Sequence, residues 1–554
     1  MLFRSTLYLC VSILQNAWKR AGEGPAVEMT IYLSGFLALS GHGLLLFVVL
    51  NSALALPPWP FLIALGFLNI AIALAALYTR RGELHLGALV ASQLLLAIWQ
   101  SGLQTAPWPA VGVVSAVLVA TIGATVFLIG NRRGMTAPET TGTLLALACA
   151  IPGFLGMLVL AVSAWVAESP SVLLLTTSLA ILLGFVLLVD KVTKWHVLAP
   201  VSVMASALVV MVWSIRHFAP ENWSQEFLFA GAIHLLYLLF PLLLKSDLKK
   251  SIEPHLAAVL SSAVFFLFAR HSLSAGGFEN IIGLLPVAQA GLMGFLLWKL
   301  LKLEPPEERA LGRLAMVAGA VLAFVTVAIP LQLEKEWITI GWALLAAALA
   351  WLSLRIPHRG LIVWTAGLLV AVFVRLVLNP AVLEYHPRSS IPIFNWYLYT
   401  YLVAAAAFFV AARLLRGRDK LMEEIPGIST LANAGGAVLL FLLLNIEIAD
   451  YYSVGPGLEF EFDPGLAQNL TYTIGWGLFA FALLIAGITW SNKPGRIASI
   501  LLLIVTVLKC FLYDLMSLEG LYRVGSFVGL AVCLTLVAVL LQKFVLKQSP
   551  SPAP

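Results

Sequence analysis

Charge is scarce in this sequence: Asp, Glu, Lys and Arg make up 11% of its 554 residues, against about a quarter in soluble domains. With 61% apolar residues and a mean hydropathy of +0.97, a water-soluble core could not absorb the apolar surface. A soluble fold is thereby excluded. Cysteine is scarce as well. Cys10, Cys149, Cys510 and Cys533 fall in apolar stretches with no paired spacing, which indicates neither a disulfide framework nor a zinc site. Also missing are a phosphate-binding Gly-rich loop with Lys and Ser or Thr, an H-E-x-x-H pair, a G-x-S-x-G elbow, and any serine or cysteine nucleophile with a placed base. ATP hydrolysis loses its basis, and neither a cofactor nor a metal is expected.

What is present is a series of apolar runs, each long enough at about 1.5 Å per residue to cross a hydrocarbon core of about 30 Å. A lipid-exposed backbone must satisfy its own hydrogen bonds, so the runs read as helices. The predicted fold is all-α: a polytopic transmembrane helix bundle of about 18 spans. The first span is placed near Ile31 to Ala53 and the last near Leu518 to Leu541. Residues 1–30 read as a cytoplasmic interfacial segment and 31–336 as about 11 anonymous apolar spans. Residues 337–545 read as a repeat-containing transmembrane region and 546–554 as a cytoplasmic tail. The apolar run LYLCVSIL near the N-terminus is followed by basic residues and no small-residue cleavage site, so an interfacial helix is expected rather than a signal peptide.

The loops test this topology independently, because Lys and Arg concentrate on the cytoplasmic side. With the N-terminus inside, inner segments hold 26 of the 33 basic residues, among them Arg80, Arg81, Arg132, Arg133, Arg413 and Arg416. Both ends are then cytoplasmic, and the net charge of +6 is topological rather than a nucleic-acid footprint. The exceptions are Arg216, Arg270, Lys335, Arg375, Arg388, Lys509 and Arg523. The outer segment after Asp450 carries Glu459, Glu461 and Asp463 with no basic residue, a solvated loop or a rim for cations or glycans.

An internal repeat is the most informative pattern. TIGWALLAAALAWLSL from Thr339 resembles TIGWGLFAFALLIAGI from Thr473, and Arg375 and Lys509 each follow the motif tryptophan, Trp342 or Trp476, by 33 residues. The offset covers four helices, an even number, so the copies are parallel. A looser third copy ends at Arg270. Ionisable groups within spans cost about 2.5–3.5 kcal/mol on insertion scales and need partners. Lys509 and Asp514 lie near the outer end of one helix; Glu519 and Arg523 are spaced to pair at i, i+4. Glu447 and Asp450 share a face at i, i+3. Around the other copy stand Arg375, Glu384, His386, Asn395 and Tyr399, in a segment broken by Pro380, Pro387 and Pro392. These eleven residues are candidates for a ligand pocket, with interhelical staples and an interfacial aromatic girdle as the competing reading. No catalytic residue is assigned.

The C-terminal stretch carries a resemblance. Lys509, Phe511, Leu512, Asp514 and Leu515, then Leu518, Leu521, Tyr522 and Arg523, fit a basic residue followed by F-L-x-D-L and L-x-x-L-Y-R. With FNWYLYTY (Phe394, Asn395, Tyr401) and NIEIADYYS (Glu447, Asp450), this resembles the signature end of a large bacterial family of predicted membrane proteins of unknown function. That family is domain-of-unknown-function family twenty-three thirty-nine, and the resemblance is clearest over the last 200 residues. It implies a bacterial inner-membrane, multi-pass protein and no settled activity. Many members carry a soluble or coiled region ahead of the first span, which is not expected here.

Two functional classes follow. The first is a non-enzymatic transport or cell-envelope-assembly component, whose outward-facing polar pocket binds an anionic or polyhydroxyl ligand through Arg375, Lys509 and Arg523. The second is a membrane-embedded enzyme acting on a lipid-linked or glycan substrate at the outer face, with Asp514, Glu447, Asp450 or His386 as acid or base. The first is favoured because no nucleophile and base pair is present. A structural scaffold is a third class. The expected partners are the lipid bilayer and an envelope glycan or lipid-linked substrate, not nucleic acid; the oligomeric state is unknown.

Overall fold

The computed structural model describes residues 39–79, 82–102, 109–134, 140–244, 251–303, 310–355, 358–386, 393–416, 427–455, 457–458 and 465–514, with five single positions between 524 and 535. Among these residues the chain is helical with no strand, and sixteen helices are long and apolar enough to cross a membrane. They coincide with the second to seventeenth expected spans. Leu39–Leu50 is a shorter apolar helix within the first. The eighteenth span apart from those five positions, the N-terminal interfacial segment, the tail, the acidic residues Glu459, Glu461 and Asp463, and the candidates Glu519 and Arg523 lie outside the described residues.

The chain divides into two compact units, Met1–Ala328 and Ile329–Pro554. In the first, helix α1 (Leu39–Leu50) is followed by α2 (Trp59–Thr79), α3 (Gly82–Ser101), α4 (Pro109–Arg132), α5 (Thr140–Val166), α6 (Val172–Thr193), α7 (Leu198–His217), α8 (Trp223–Leu243), α9 (Glu253–Ala275) and α10 (Leu284–Leu303). Helix α11 (Leu311–Gln332) follows. Close approach here depends on small residues. At Gly123 of α4 a Cβ would overlap the carbonyl oxygen of Ala148 on α5, so the two helices meet backbone to backbone. Large apolar side chains such as Leu173, Ile63 and Ile215 stay exposed, as lipid contact permits and water would not.

In the second unit come α12 (Glu336–Arg355), α13 (Arg359–Val377), a 3₁₀ turn (Pro380–Glu384), α14 (Trp396–Leu415), α15 (Ile428–Tyr452), α16 (Leu466–Thr489) and α17 (Lys493–Lys509), which ends in a π-helical turn at Cys510–Asp514. Side chains cap several starts: His358 accepts from the Gly360 N–H, Asn395 from Leu398, and Asn492 from Gly495. Asn379 caps the 3₁₀ turn by accepting from Ala381. The helices alternate in direction, so the starts of α12, α14 and α16 share one end of the unit with the finishes of α13, α15 and α17. The sequence candidates collect at that end.

Candidate functional site

The site is a band of polar and aromatic side chains across this end. At its centre Arg375, near the finish of α13, is clasped by its own hairpin. Its Nε donates to Thr339 Oγ1 at 3.0 Å, and its Nη2 to the Lys335 carbonyl at 3.1 Å and to Tyr385 Oη at 2.8 Å. The guanidinium also lies 5.6 Å from the Tyr385 ring centroid. Lys335 takes a left-handed φ of 50° at the turn into α12, and its Nζ donates to the Tyr385 carbonyl at 2.9 Å. The segment after α13 is therefore tied down from two directions, which fixes the next residue, His386.

His386 Nε2 stands 2.9 Å from Glu336 Oε2, and Tyr399 Oη donates to the other oxygen, Oε1, at 3.3 Å. Glu336 is buried and opens α12, where the helix N-terminus favours a carboxylate. Around this pair the aromatics are partly open: Trp337 is 53% exposed and Tyr399 40%, with ring centroids 6.2 Å apart. Three tyrosines at alternate positions of α14 secure three different elements. Tyr397 donates to the Leu383 carbonyl, Tyr399 to Glu336, and Tyr401 to the Leu376 carbonyl at the end of α13.

A second group joins α14 to α15. Asn395 Nδ2 donates to Glu447 Oε2 at 3.0 Å and to Asp450 Oδ2 at 3.2 Å, while its own oxygen caps α14. The two carboxylates thus meet on one amide, and Glu447 Oε1 is buried without a hydrogen-bond partner among the described residues. A third group joins α16 to α17. Lys509 Nζ donates to Thr473 Oγ1 at 2.8 Å and to the Asn469 carbonyl at 3.2 Å, 5.8 Å from the Tyr513 ring centroid.

The Arg375 and Lys509 clasps have the same plan. Each cation bonds the threonine of the TIGW motif and the carbonyl one turn before it, and every corresponding pair (Lys335 and Asn469, Thr339 and Thr473, Arg375 and Lys509) is 134 residues apart. The same spacing separates Gly341 from Gly475. A Cβ would meet Ile329 at 2.9 Å in the first and Ile448 at 3.1 Å in the second, each on the preceding helix. The α8–α9 hairpin, which carries Arg270, buries an acid instead of a cation. Buried Glu226 of α8 accepts from Ser272 at 2.6 Å and contacts His271 at 2.9 Å, and Arg270 is exposed.

Of the sequence candidates, Arg375, His386 and Tyr399 belong to the first group, Asn395, Glu447 and Asp450 to the second, and Lys509 to the third. Glu384 is exposed at the end of the 3₁₀ turn and stands outside all three. Asp514 closes the π-helical turn. Sequence reasoning missed Glu336, Thr339, Thr473 and Asn469. It also took the N-terminal spans for anonymous apolar helices, which needs correction. The first unit buries His42, Asn69, His85, Gln93, Asp190, Glu226, His234, His255 and Arg313. Several are paired within it: His42 and Asn69 both reach Ser92 Oγ, and His234 reaches Ser261 Oγ.

The Glu336–His386 contact carries a measurable prediction. In a double-mutant cycle on thermal unfolding, Glu336→Gln and His386→Ala are expected to couple by about 1 kcal/mol, as for a partly exposed pair. Strict additivity would show that the contact contributes nothing to stability.

A family model described as a predicted membrane protein (DUF2339) matches residues 142–379 and 355–544. The match reaches well ahead of the last 200 residues, into the first unit. No curated protein and no solved structure matches the chain.

Proposed function

As the chain belongs to that family of predicted membrane proteins, we propose that it is a non-enzymatic transport or cell-envelope-assembly component of a bacterial inner membrane. In this reading it crosses about eighteen times with both ends cytoplasmic, and the band described above faces outward. The Arg375 and Lys509 clasps are taken as copies of a duplicated hairpin, in parallel orientation. Their cations are occupied within their own hairpins, so they hold the frame. The ligand-facing groups are then Trp337, Tyr399, His386 and Glu336. Two partly open aromatic faces beside a carboxylate and an imidazole suit a polyhydroxyl ligand, which stacks its apolar face and hydrogen-bonds its rim. A glycan or the head of a lipid-linked glycan has that chemistry.

The observation that supports this reading most is the tethered segment Pro380–Glu384 with Tyr385 and His386, held by Arg375 and Lys335 against exposed rings. The test is complementation of a deletion strain, read out as envelope glycan and lipid profiles. The parent chain is expected to restore the profile, and Trp337→Ala with Tyr399→Ala to fail while accumulating in the membrane at the parent level. Full complementation by that pair and by His386→Ala would sink the reading.

One observation favours the enzyme alternative. A buried carboxylate 2.9 Å from an imidazole is the arrangement of an oriented general base. Product formed from a lipid-linked glycan by the purified chain in vesicles, and lost in His386→Ala, would decide for it.

A further inference from the structure

The opposite end of the second unit holds a cleft that the band does not use. It encloses about 460 Å³ between α14, α15 and α16, within the roughly 300–1,000 Å³ typical of small-molecule sites. The space exists because the facing residues are small. Ala412 of α14, Ala437 of α15, and Ala482 and Ala486 of α16 line it where longer side chains would close it. Helices α14 and α15 are themselves in close contact nearby, since a Cβ on Gly436 would meet the Phe409 ring at 3.0 Å. The gap therefore opens on the α16 side. The throat is apolar, with Phe409, Leu440, Phe479 and Leu483, and the mouth is basic and polar, with Arg413, Arg416, Asn433, Trp490 and Asn492. No Asp or Glu is among its described lining.

We propose that this cleft binds one anionic phospholipid of the surrounding bilayer, with its phosphate at Arg413 and Arg416 and an acyl chain in the throat. The charge complementarity selects the occupant. Both arginines are exposed and lie at and just past the end of α14, one turn apart, where two guanidiniums can share phosphate oxygens through charge-assisted bonds. A zwitterionic lipid carries the same phosphate, but its ammonium offsets that charge beside the two guanidiniums and meets no carboxylate in the described lining, and a free anion would leave the alanine-lined throat empty. Trp490, 69% exposed at the end of α16, sits where an indole meets the interface between headgroup and acyl chain. Basic residues flanking a span by charge bias alone need no cleft beneath them; here the cleft and the charges coincide.

The test uses the full chain purified in detergent, titrated with phosphatidylglycerol or phosphatidylcholine of matched acyl chains, with retained lipid counted by native mass spectrometry. Phosphatidylglycerol is expected to be retained in preference, one molecule per chain. Arg413→Ala with Arg416→Ala is expected to weaken it by about 10- to 100-fold, the loss of one to two charged hydrogen bonds. Ala482→Leu leaves both charges and fills the throat, so it is expected to abolish retention at an unchanged unfolding temperature. Equal retention of the two lipids, retention unaffected by either variant, or displacement of the lipid by inorganic phosphate alone would overturn the proposal. Because one variant removes charge and the other removes space, a folding defect in the first leaves the second decisive.

Discussion

Gly123→Ala is expected to destabilise the chain by about 1–3 kcal/mol, and Gly123→Leu to prevent recovery of a monodisperse protein in detergent. The reason is the kind of atom in the way. The added Cβ would overlap the carbonyl oxygen of Ala148, and it would meet Leu89 Cδ1 of α3 at 2.9 Å. A flexible side chain can turn aside, whereas a carbonyl in the hydrogen-bond ladder of α5 cannot move without moving the helix. The neighbours leave no slack: Ala116, Ala120 and Ala124 of α4 and Ala146, Ala148 and Cys149 of α5 are all buried. Gly291 of α10 is the control, because nothing lies within 4 Å of its Cβ position. Gly291→Ala is expected to unfold at or slightly above the parent temperature, since Ala is the better helix former. Thermal unfolding in one detergent compares the three. Equal midpoints for Gly123→Ala and Gly291→Ala would refute the backbone contact.

How much was legible in the sequence follows from the difference between information along one helix and information between helices. Sixteen spans were readable because crossing length and apolar content are properties of consecutive residues. The ends shifted where caps, which hydropathy ignores, extend the helices. Hydropathy alone puts the starts of α12 and α17 near Ile338 and Ile497, whereas the helices begin at Glu336 and Lys493, the latter behind the Asn492 cap. On hydropathy Glu336 therefore reads as a loop residue, although it is the buried acid of the band. Arg375 and Lys509 stood out because a cation in an apolar run is costly. Their partners Thr339 and Thr473 did not, since threonine is unremarkable in a span and only the antiparallel hairpin brings it opposite the cation. The signal was nevertheless within reach, because both threonines open the repeated TIGW motif. In the first unit, isolated His, Asn, Gln and Ser residues barely lower the hydropathy of a window. The burial of His85, Ser92 and Gln93 on one helix became visible only once the helices were packed.

Arg375→Met is expected to cost about 2–4 kcal/mol and to free the segment from Pro380 to His386. Methionine keeps the length and apolar stem of arginine but donates nothing. The Thr339 hydroxyl, the Lys335 carbonyl and the Tyr385 hydroxyl each lose their partner. A single interhelical hydrogen bond in a membrane protein averages about 0.6 kcal/mol and reaches about 1.7, and groups left unsatisfied on burial add to the loss. Arg375→Lys is the informative comparison, because the chain already places lysine at the corresponding position. Lys509 makes the threonine and carbonyl bonds without a guanidinium. Lysine at 375 is therefore expected to keep those two bonds, to lose the third to Tyr385, and to recover more than half of the stability lost in Arg375→Met. By the same logic Lys509→Arg is expected to be tolerated and Lys509→Met not. Thermal unfolding measures the ranking, and hydrogen exchange over residues 379–386 reports whether His386 remains tethered beside Glu336. If Arg375→Lys and Arg375→Met unfold together, the two clasps are not equivalent, and the proposed duplication behind the proposed site loses its main support.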